Sequence, residues 1–486
     1  MTSPTTRRPL VLAAVMAANF MIAIEATIVS TAMPQIVGQL GGLALYSWVF
    51  SAFLLTQTAT TVVFGKLSDR TGRKAVMLIG IAVFLIGSTL SGFAWSMPSL
   101  IAFRLLQGVG AGAVQPTAMT IVGDLYAAHE RAKIQGWLAS VWALSAILGP
   151  LAGGLIVQHV SWAWIFWINL PIGALAAAGF WLYLHEGRAQ GRGRIDHLSA
   201  AVFTVAIAAI MVDLTSLSTS GRAEIGLATV AAAVAIALFV MQERRSPEPM
   251  ISLKLWGRRP IAAANGASLL CGMVMIGLTT FLPVFVQGVM QQSPVVAGFA
   301  LSAMVGGWPV AATLGVNIGL RRFGVRPVMR AGGVTVAAGA LVFVILDADM
   351  SPLVAGLGSL VVGFGMGLLS SASIILIQEI VEWSERGSVT ASYLFARSLG
   401  STFGATAFGA VLNVGLLRSG HAAVSSDRLR DLLEGGSAGA DRGLRAALEQ
   451  SLHLTFVSMF LVALMVAATS FLVPKVSLAP RRALAE

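Results

Sequence analysis

The sequence predicts an all-α polytopic membrane protein, on three observations. Hydrophobic residues make up 56% of the 486 and charged residues 11%, with a mean hydropathy of +0.83. A soluble chain of this length carries roughly 25% charged residues. Fourteen apolar segments are long enough to cross a bilayer, and helix is the one open structure that satisfies its own backbone there. The chain also repeats itself, since Gly108-x-Gly110-x-Gly112 returns 255 residues later as Gly363-x-Gly365-x-Gly367.

The segments run approximately 10–33, 46–64, 75–95, 99–122, 134–157, 163–184, 197–215, 224–241, 260–287, 296–319, 327–346, 353–377, 389–413 and 453–474. Arg7 and Arg8 precede the first, and no small-residue cleavage site follows it. It therefore reads as a retained helix and not a removed signal peptide. Between the second and third segments lies Gly65-Lys66-Leu67-Ser68-Asp69-Arg70-Thr71-Gly72-Arg73-Lys74. A loop this short forces a helical hairpin. Gly72 permits a turn with φ > 0, and Gly65 lets a neighbouring helix approach. Asp69 ends the second segment, where it can face the positive N-terminus of another helix.

An even number of spans puts both termini on one side. With that side cytoplasmic, the inner segments hold twenty-four of the 32 Lys and Arg, and the outer loops hold six. Arg104 and Arg397 are the two that lie inside helices. The asymmetry sets the orientation: a multi-pass protein of the cytoplasmic membrane with both termini inside.

The repeat divides the chain. At the offset of Gly108 to Gly363, Asp124 matches Glu379, Glu130-Arg131 matches Glu385-Arg386, and Gly149 and Gly154 match Gly404 and Gly409. Gly72 with Val76-Met77 recurs as Gly324 with Val328-Met329. Two six-helix halves follow, with a substrate site between them at mid-membrane. The expected units are a first bundle over 1–190, an inserted helix pair and linker over 191–255, and a second bundle over 256–486. The last carries a long extracellular loop at 414–452. In that loop Leu429-x-x-Leu432-Leu433 and Leu444-x-x-Ala447-Leu448 are short amphipathic stretches; a helical cap and a solvated connector both remain open.

Composition also excludes. The net charge of +11 is spread over many short loops, which argues against nucleic acid as a partner. The single cysteine, Cys271, allows no internal disulfide and no Cys-based metal site, and the six histidines are scattered. There is no H-E-x-x-H and no G-x-x-x-x-G-K-[ST]; an enzyme or receptor is disfavoured. Gly108-Val-Gly-Ala-Gly-Ala113 lies inside a span and follows no strand, so it is a packing surface and not a nucleotide loop.

The decapeptide at Gly65, with Asp69, Arg70, Gly72 and Arg73, resembles the signature loop of the major facilitator superfamily. Other motifs are similar to those of its fourteen-helix drug:proton antiporters. They are Glu25-Ala-Thr27 through Pro34, Arg104-Leu-Leu-Gln107-Gly108-Val-Gly110, Gly149-Pro150-Leu-Ala-Gly153-Gly154, and Trp164-Ile-Phe-Trp-Ile-Asn169-Leu-Pro171-Ile-Gly173. The resemblance implies two six-helix bundles with two helices inserted between them. It implies an interdomain lock built from Gly65, Asp69, Arg70, Gly72, Arg73 and Asp124, with Asp124 pairing to Arg73. It implies an antiporter helix bent and thinned at Gly149, Pro150, Gly153 and Gly154. Two departures stand out. The first helix carries Glu25 where the family has Asp, and the second-half loop Asn317–Arg326 has no acid matching Asp69.

Glu25 lies within ~6 Å of the bilayer midplane, at 1.5 Å per residue. An ionised group there is costly and points to function. Burial disfavours its charge and a nearby cation favours it, which suits a carboxyl that loads and unloads protons. A carboxyl permanently paired for packing is the alternative. Arg104 sits near the same depth and is the expected partner; snorkelling to the outer interface is its alternative. Asp213 reads as structural. For Arg397, a gate and a packing role are both open, with Glu382 or Glu385 as neighbours. Asn19, Phe20, Gln57, Gln107, Trp142, Asn265, Phe281, Phe285 and Trp308 are candidate substrate contacts, since polar and aromatic residues within spans suit amphipathic compounds.

The resulting expectation is a proton-coupled multidrug efflux antiporter working by alternating access, with lipid bilayer, protons and an amphipathic, often cationic compound as its partners. No cofactor is expected beyond the coupling proton, and the chain is expected to act as a monomer. A transporter of lipids or metabolites, or a uniporter without proton coupling, is the alternative.

Overall fold

The structure is a computed structural model that describes residues 6–126, 128–186, 222–245, 256–381, 386–419 and 442–474, with short stretches between 201 and 213. The described residues form helices and turns, with no strand. In chain order the helices are α1 (Arg8–Leu40), α2 (Tyr46–Thr71), α3 (Arg73–Gly92), α4 (Met97–Leu125), α5 (Ala128–His159), α6 (Trp164–Tyr183), α7 (Arg222–Arg245), α8 (Arg259–Val284), α9 (Pro294–Leu314), α10 (Val325–Val344), α11 (Pro352–Glu379), α12 (Arg386–Arg418) and α13 (Arg442–Phe471). Within α1–α6, and again within α8–α13, they run alternately up and down. The end where α1 begins is here the basic end, and the opposite one the far end.

Eleven of the described helices are long and apolar enough to cross a membrane. The expected count of fourteen also rests on residues outside the described ones. α5 is 32 residues long, but the side chains of part of it lie outside the described residues, and the apolar part of α7 is limited to Gly226–Gln242. The segment at 197–215 falls largely outside the described residues. The last helix also starts earlier than hydropathy suggests: Leu444 and Leu448 are buried on the first turns of α13, not in a separate cap. Leu429, Leu432 and Leu433 lie outside the described residues.

Helix starts follow local chemistry. At the far end, Ser96, Ser293 and Ser351 cap α4, α9 and α11 through their side chains, each with proline in the first turn. The hydroxyl accepts from an otherwise orphaned amide, and proline has no amide to orphan. At the basic end, α2 passes into α3 through Gly72 at φ 100°, and α10 begins after Gly324 at φ 81°. The repeated glycine of the two halves thus marks the same left-handed turn, which residues with a Cβ rarely adopt.

The two sixes pack alike. In the first, α4 lies against α2 and α3, α1 against α5 and α6, and α3 against α6. In the second, α11 lies against α9 and α10, α8 against α12 and α13, and α10 against α13. Glycines make these contacts, as expected where lipid removes the hydrophobic drive between helices. A Cβ on Gly110 would stand 2.6 Å from Phe84 Cα on α3, and one on Gly112 would stand 2.7 Å from the Gln57 carbonyl oxygen on α2. Gly365 and Gly367 repeat this against α10 and α9. Gly363→Ala is therefore expected to lower the melting temperature of the purified protein sharply. Its Cβ would stand 2.6 Å from the Met304 carbonyl carbon, so backbone and not a yielding side chain must move. Gly306→Ala on α9 meets nothing within 4 Å and should leave the melt unchanged. Equal melting of the two variants would rule out close packing as the reason for the motif.

The halves meet at the far end. Tyr46 Oη donates to the Thr280 carbonyl (2.8 Å) and Gln287 Nε2 to the Thr31 carbonyl (3.1 Å). Ser51 Oγ and Thr406 Oγ1 are 2.9 Å apart, and Thr58 meets Ser398 nearer mid-depth. α5 rests on α9 where Pro150 faces Gly298 and Gly154 faces Val295. One apolar core runs through both halves here, from Ile24 and Phe166 to Phe281 and Phe456. Toward the basic end the core separates. Val11, Ile81, Ile121 and Phe180 pack within the first half, and Ile261, Ile377 and Tyr393 within the second. The bundle is zipped at one end and divided at the other.

Candidate functional site

Glu25 and Arg104 are brought together deep in the first half. Glu25 is 0% and Arg104 2% exposed. Arg104 Nη1 donates to Glu25 Oε1 and, at 2.7 Å, to Gln107 Oε1. Arg104 Nε donates to the Val49 carbonyl (3.3 Å), and its guanidinium lies 4.3 Å from the Phe53 ring centroid. Asn169 Nδ2 donates to Glu25 Oε2 (2.6 Å) and to Ser88 Oγ (3.0 Å), while Gln107 Nε2 also donates to Ser88 Oγ (3.2 Å). Five helices, α1, α2, α3, α4 and α6, contribute one or two residues each. Arg104 does not snorkel. The reason is local: three acceptors and a ring enclose it, and a buried charge is held only by such a set.

Asn169 and Ser88 were not among the predicted site residues. Asn169 stood in a motif, but its contact with Glu25 spans 144 positions. A polar side chain in the middle of an apolar span was the available signal. The cluster is coupled to the rest of the fold through α1. Two residues beyond Glu25, Thr27 Oγ1 donates to the Ser145 carbonyl on α5 (3.1 Å), and a Cβ on Gly149 would stand 2.9 Å from Thr27 Cβ. Gly153 lies against Ile28 in the same way, and Pro150 and Gly154 face α9 of the other half. Gly149, Pro150, Gly153 and Gly154 thus join α1 to the seam.

At the basic end Arg73 Nε stands 2.9 Å from Asp124 Oδ2, the pairing expected for the lock. The start of α3 is held by Glu186, whose carboxylate accepts from the amides of Arg73 (2.9 Å) and Lys74 (3.1 Å). A carboxylate at a helix N-terminus is favoured by the dipole and the free amides. Glu186 was not predicted, because it follows α6 in a polar stretch with no motif. The side chains of Asp69 and Arg70 lie outside the described residues. Gly65 does not carry a tight approach: its nearest neighbour across the gap is Pro116 Cβ at 3.9 Å.

The predicted substrate contacts do not form one group. Phe281 and Phe285 are fully buried in far-end packing, Phe281 beside Tyr46 and Phe285 beside Phe456 and His453. Asn19 bonds the Val15 carbonyl of its own helix, and Asn265 bonds Ser392. Gln107 belongs to the charge cluster, and Phe20 packs against the shared core. Gln57 donates to Gln115 (3.3 Å) in a half-buried pair between α2 and α4, Trp142 is exposed, and Trp308 is half-buried beneath Arg397. Asp213 accepts from Thr229 (2.8 Å), which suits a structural tie to α7. Among the described residues no group of three His, Cys, Asp or Glu could hold a metal. Glu382 and Glu385 lie outside the described residues.

A family model described as Major Facilitator Superfamily matches residues 15–405. The multidrug transporter protein MdtP of Bacillus subtilis (strain 168) is 35% identical over 426 residues, which is 86% of this chain and 77% of that protein. Multidrug resistance protein 3 of the same organism is 35% identical over 429 residues, 86% of this chain and 81% of that one. Among solved structures, a bacterial homolog of the human lysosomal transporter Spinster, in an inward-facing and occupied conformation, superposes with a TM-score of 0.68. That match covers 97% of both chains at 17% identity and speaks to the fold alone.

Proposed function

Because the chain belongs to the major facilitator superfamily, and so is a transporter and not an enzyme, we propose that it exports amphipathic small molecules across the cytoplasmic membrane in exchange for protons. The observation that carries this reading is the Glu25–Arg104–Asn169 cluster. Glu25 is a single buried carboxyl near mid-depth, and its turn of helix rests on the seam between the halves.

In the charged state Glu25 holds α1 to α4 through Arg104 and to α6 through Asn169. A proton on Glu25 removes the attraction, and Arg104 keeps Gln107 and Val49 as acceptors. α1 is then free to shift, and Thr27 carries the shift to Ser145 and Gly149 on α5, which bears on α9. Proton loading thus biases the far-end seam between open and closed. The relatives named as multidrug proteins support the class of substrate, and the positive-inside rule supports a basic end that faces the cytoplasm. With the far end zipped, that orientation makes this an inward-facing state.

The test uses the purified protein in proteoliposomes with an imposed pH gradient and a fluorescent amphipath. Accumulation against the concentration gradient is expected, and nigericin should collapse it. Uptake that ignores the pH gradient would replace this reading with facilitated uniport, to which a permanently paired Glu25 is suited.

A further inference from the structure

We infer that Arg397 and Trp308 select the cargo, and that it is an amphipath bearing an anionic group such as a carboxylate or sulfonate. The inference rests on the export reading and names its substrate class, in place of the cationic class the sequence suggests.

Arg397 is eleven residues into α12. That places it about 16 Å along a helix of about 50 Å, well within a membrane's depth. A guanidinium there needs compensation. Arg104, its counterpart in the first half, has a carboxylate, an amide oxygen and a backbone carbonyl. Arg397 has a ring: its guanidinium lies 5.7 Å from the Trp308 centroid. Among the described residues no carboxylate lies within ion-pair distance of it. The sequences of α8, α9, α10 and α12 contain no acid at all, Glu379 stands at the basic end of α11, and Glu449 near the far-end start of α13. Its electrostatic neighbours are the thiol of Cys271 and the phenol of Tyr393, both buried. The first half's buried charges cancel within their cluster, whereas among the described residues Arg397 has no carboxylate to cancel it.

Its position makes that charge available. On α12, Ser401 bonds the Gly272 carbonyl of α8 and Ser398 bonds Thr58 of α2. By helix periodicity Arg397 lies about 40° from Ser401 on the side away from Ser398, toward α8, and it is half-buried. It reaches across α8 to Trp308 on α9. Helices α9 and α12 are the two of the second half that touch α5 and α2 of the first. The pair therefore stands on the two helices of the second half that meet the first, at the level of the Thr58–Ser398 contact, and both side chains are half-buried. Trp308 offers an apolar face beside the cation, and the half-buried Gln57–Gln115 pair of α2 and α4 offers amides from the opposite half. An anion beside Arg397 is attracted, and the attraction offsets its cost of leaving water; a quaternary ammonium is repelled.

The test measures binding to the purified full-length protein in nanodiscs. Two coumarin probes are used, identical except that one ends in a carboxylate and the other in a trimethylammonium. Wild type should bind the carboxylate probe about tenfold or more tightly. Arg397→Gln should erase the ratio, Arg397→Lys should keep most of it, and Trp308→Leu should weaken both probes with the ratio unchanged. Melting curves identify any variant that misfolds, and the wild-type ratio stands without the variants. Equal or better binding of the ammonium probe overturns the inference, as does binding of neither, or a ratio that survives Arg397→Gln in a folded protein. The export reading fails separately. Gradient-driven accumulation of the ammonium probe keeps that reading and sinks this one, whereas selective binding of the carboxylate probe without accumulation does the reverse.

Discussion

Glu25→Gln should abolish gradient-driven accumulation in proteoliposomes while exchange of labelled for unlabelled substrate persists. The carboxylate accepts from two donors, Arg104 Nη1 at one oxygen and Asn169 Nδ2 at the other. A glutamine must turn its own NH2 toward one of them, and donor then meets donor. Arg104 is also left buried with no counter-charge. Breaking one member of such a pair costs about 3–5 kcal/mol, so the variant should melt well below wild type. Stability and coupling are separated by the double variant Glu25→Gln, Arg104→Gln. It removes both charges, so melting should return toward wild type while accumulation stays lost. If the double variant accumulates substrate, or if Glu25→Gln alone does so at the wild-type rate, the cluster is structural and the proton moves elsewhere.

Much of this was legible because membrane constraints are severe. Backbone satisfaction makes each long apolar run a helix, and the glycine repeats mark where helices touch, so the paired sixes could be read from Gly108 and Gly363. Glu25 and Arg104 could be matched since buried charges seek each other. Asn169 and Ser88 could not, because a small polar side chain in a span looks the same whether it packs or bonds a carboxylate. Glu186 caps α3 from 113 positions away, and no local pattern predicts that. Phe281 and Phe285 were expected near a substrate, but aromatic residues fill a core as readily as they line a site. The inserted pair is a different case: 197–215 falls largely outside the described residues, Gly226–Gln242 is short, and marginal hydropathy does not decide between a span and a surface helix.

Locking the far end should stop transport altogether. Ser51 on α2 and Thr406 on α12 belong to different halves, and their hydroxyls are 2.9 Å apart. One such hydrogen bond contributes about 1 kcal/mol, so it closes the seam without fixing it shut. Thr58 and Ser398 continue the same line toward mid-depth. If substrate leaves at the far end, α2 and α12 must part there in every cycle. A Ser51→Cys, Thr406→Cys pair places two sulfurs where a small side-chain rotation brings them to bonding distance. Cys271, the chain's single cysteine, is replaced by alanine first, so that the engineered pair is the sole reactive one. Under oxidant, accumulation should fall below about a tenth of the reduced protein's rate, and reductant should restore it. Each single-cysteine variant should be indifferent to oxidant. A disulfide cannot yield as a hydrogen bond does: its removal from folded proteins typically costs about 2–5 kcal/mol, and it breaks only by chemistry. Transport at full rate through a quantitatively cross-linked protein would mean that the halves never separate between Ser51 and Thr406. Alternating access through this seam would then be excluded, and the zipped end would be a permanent hinge.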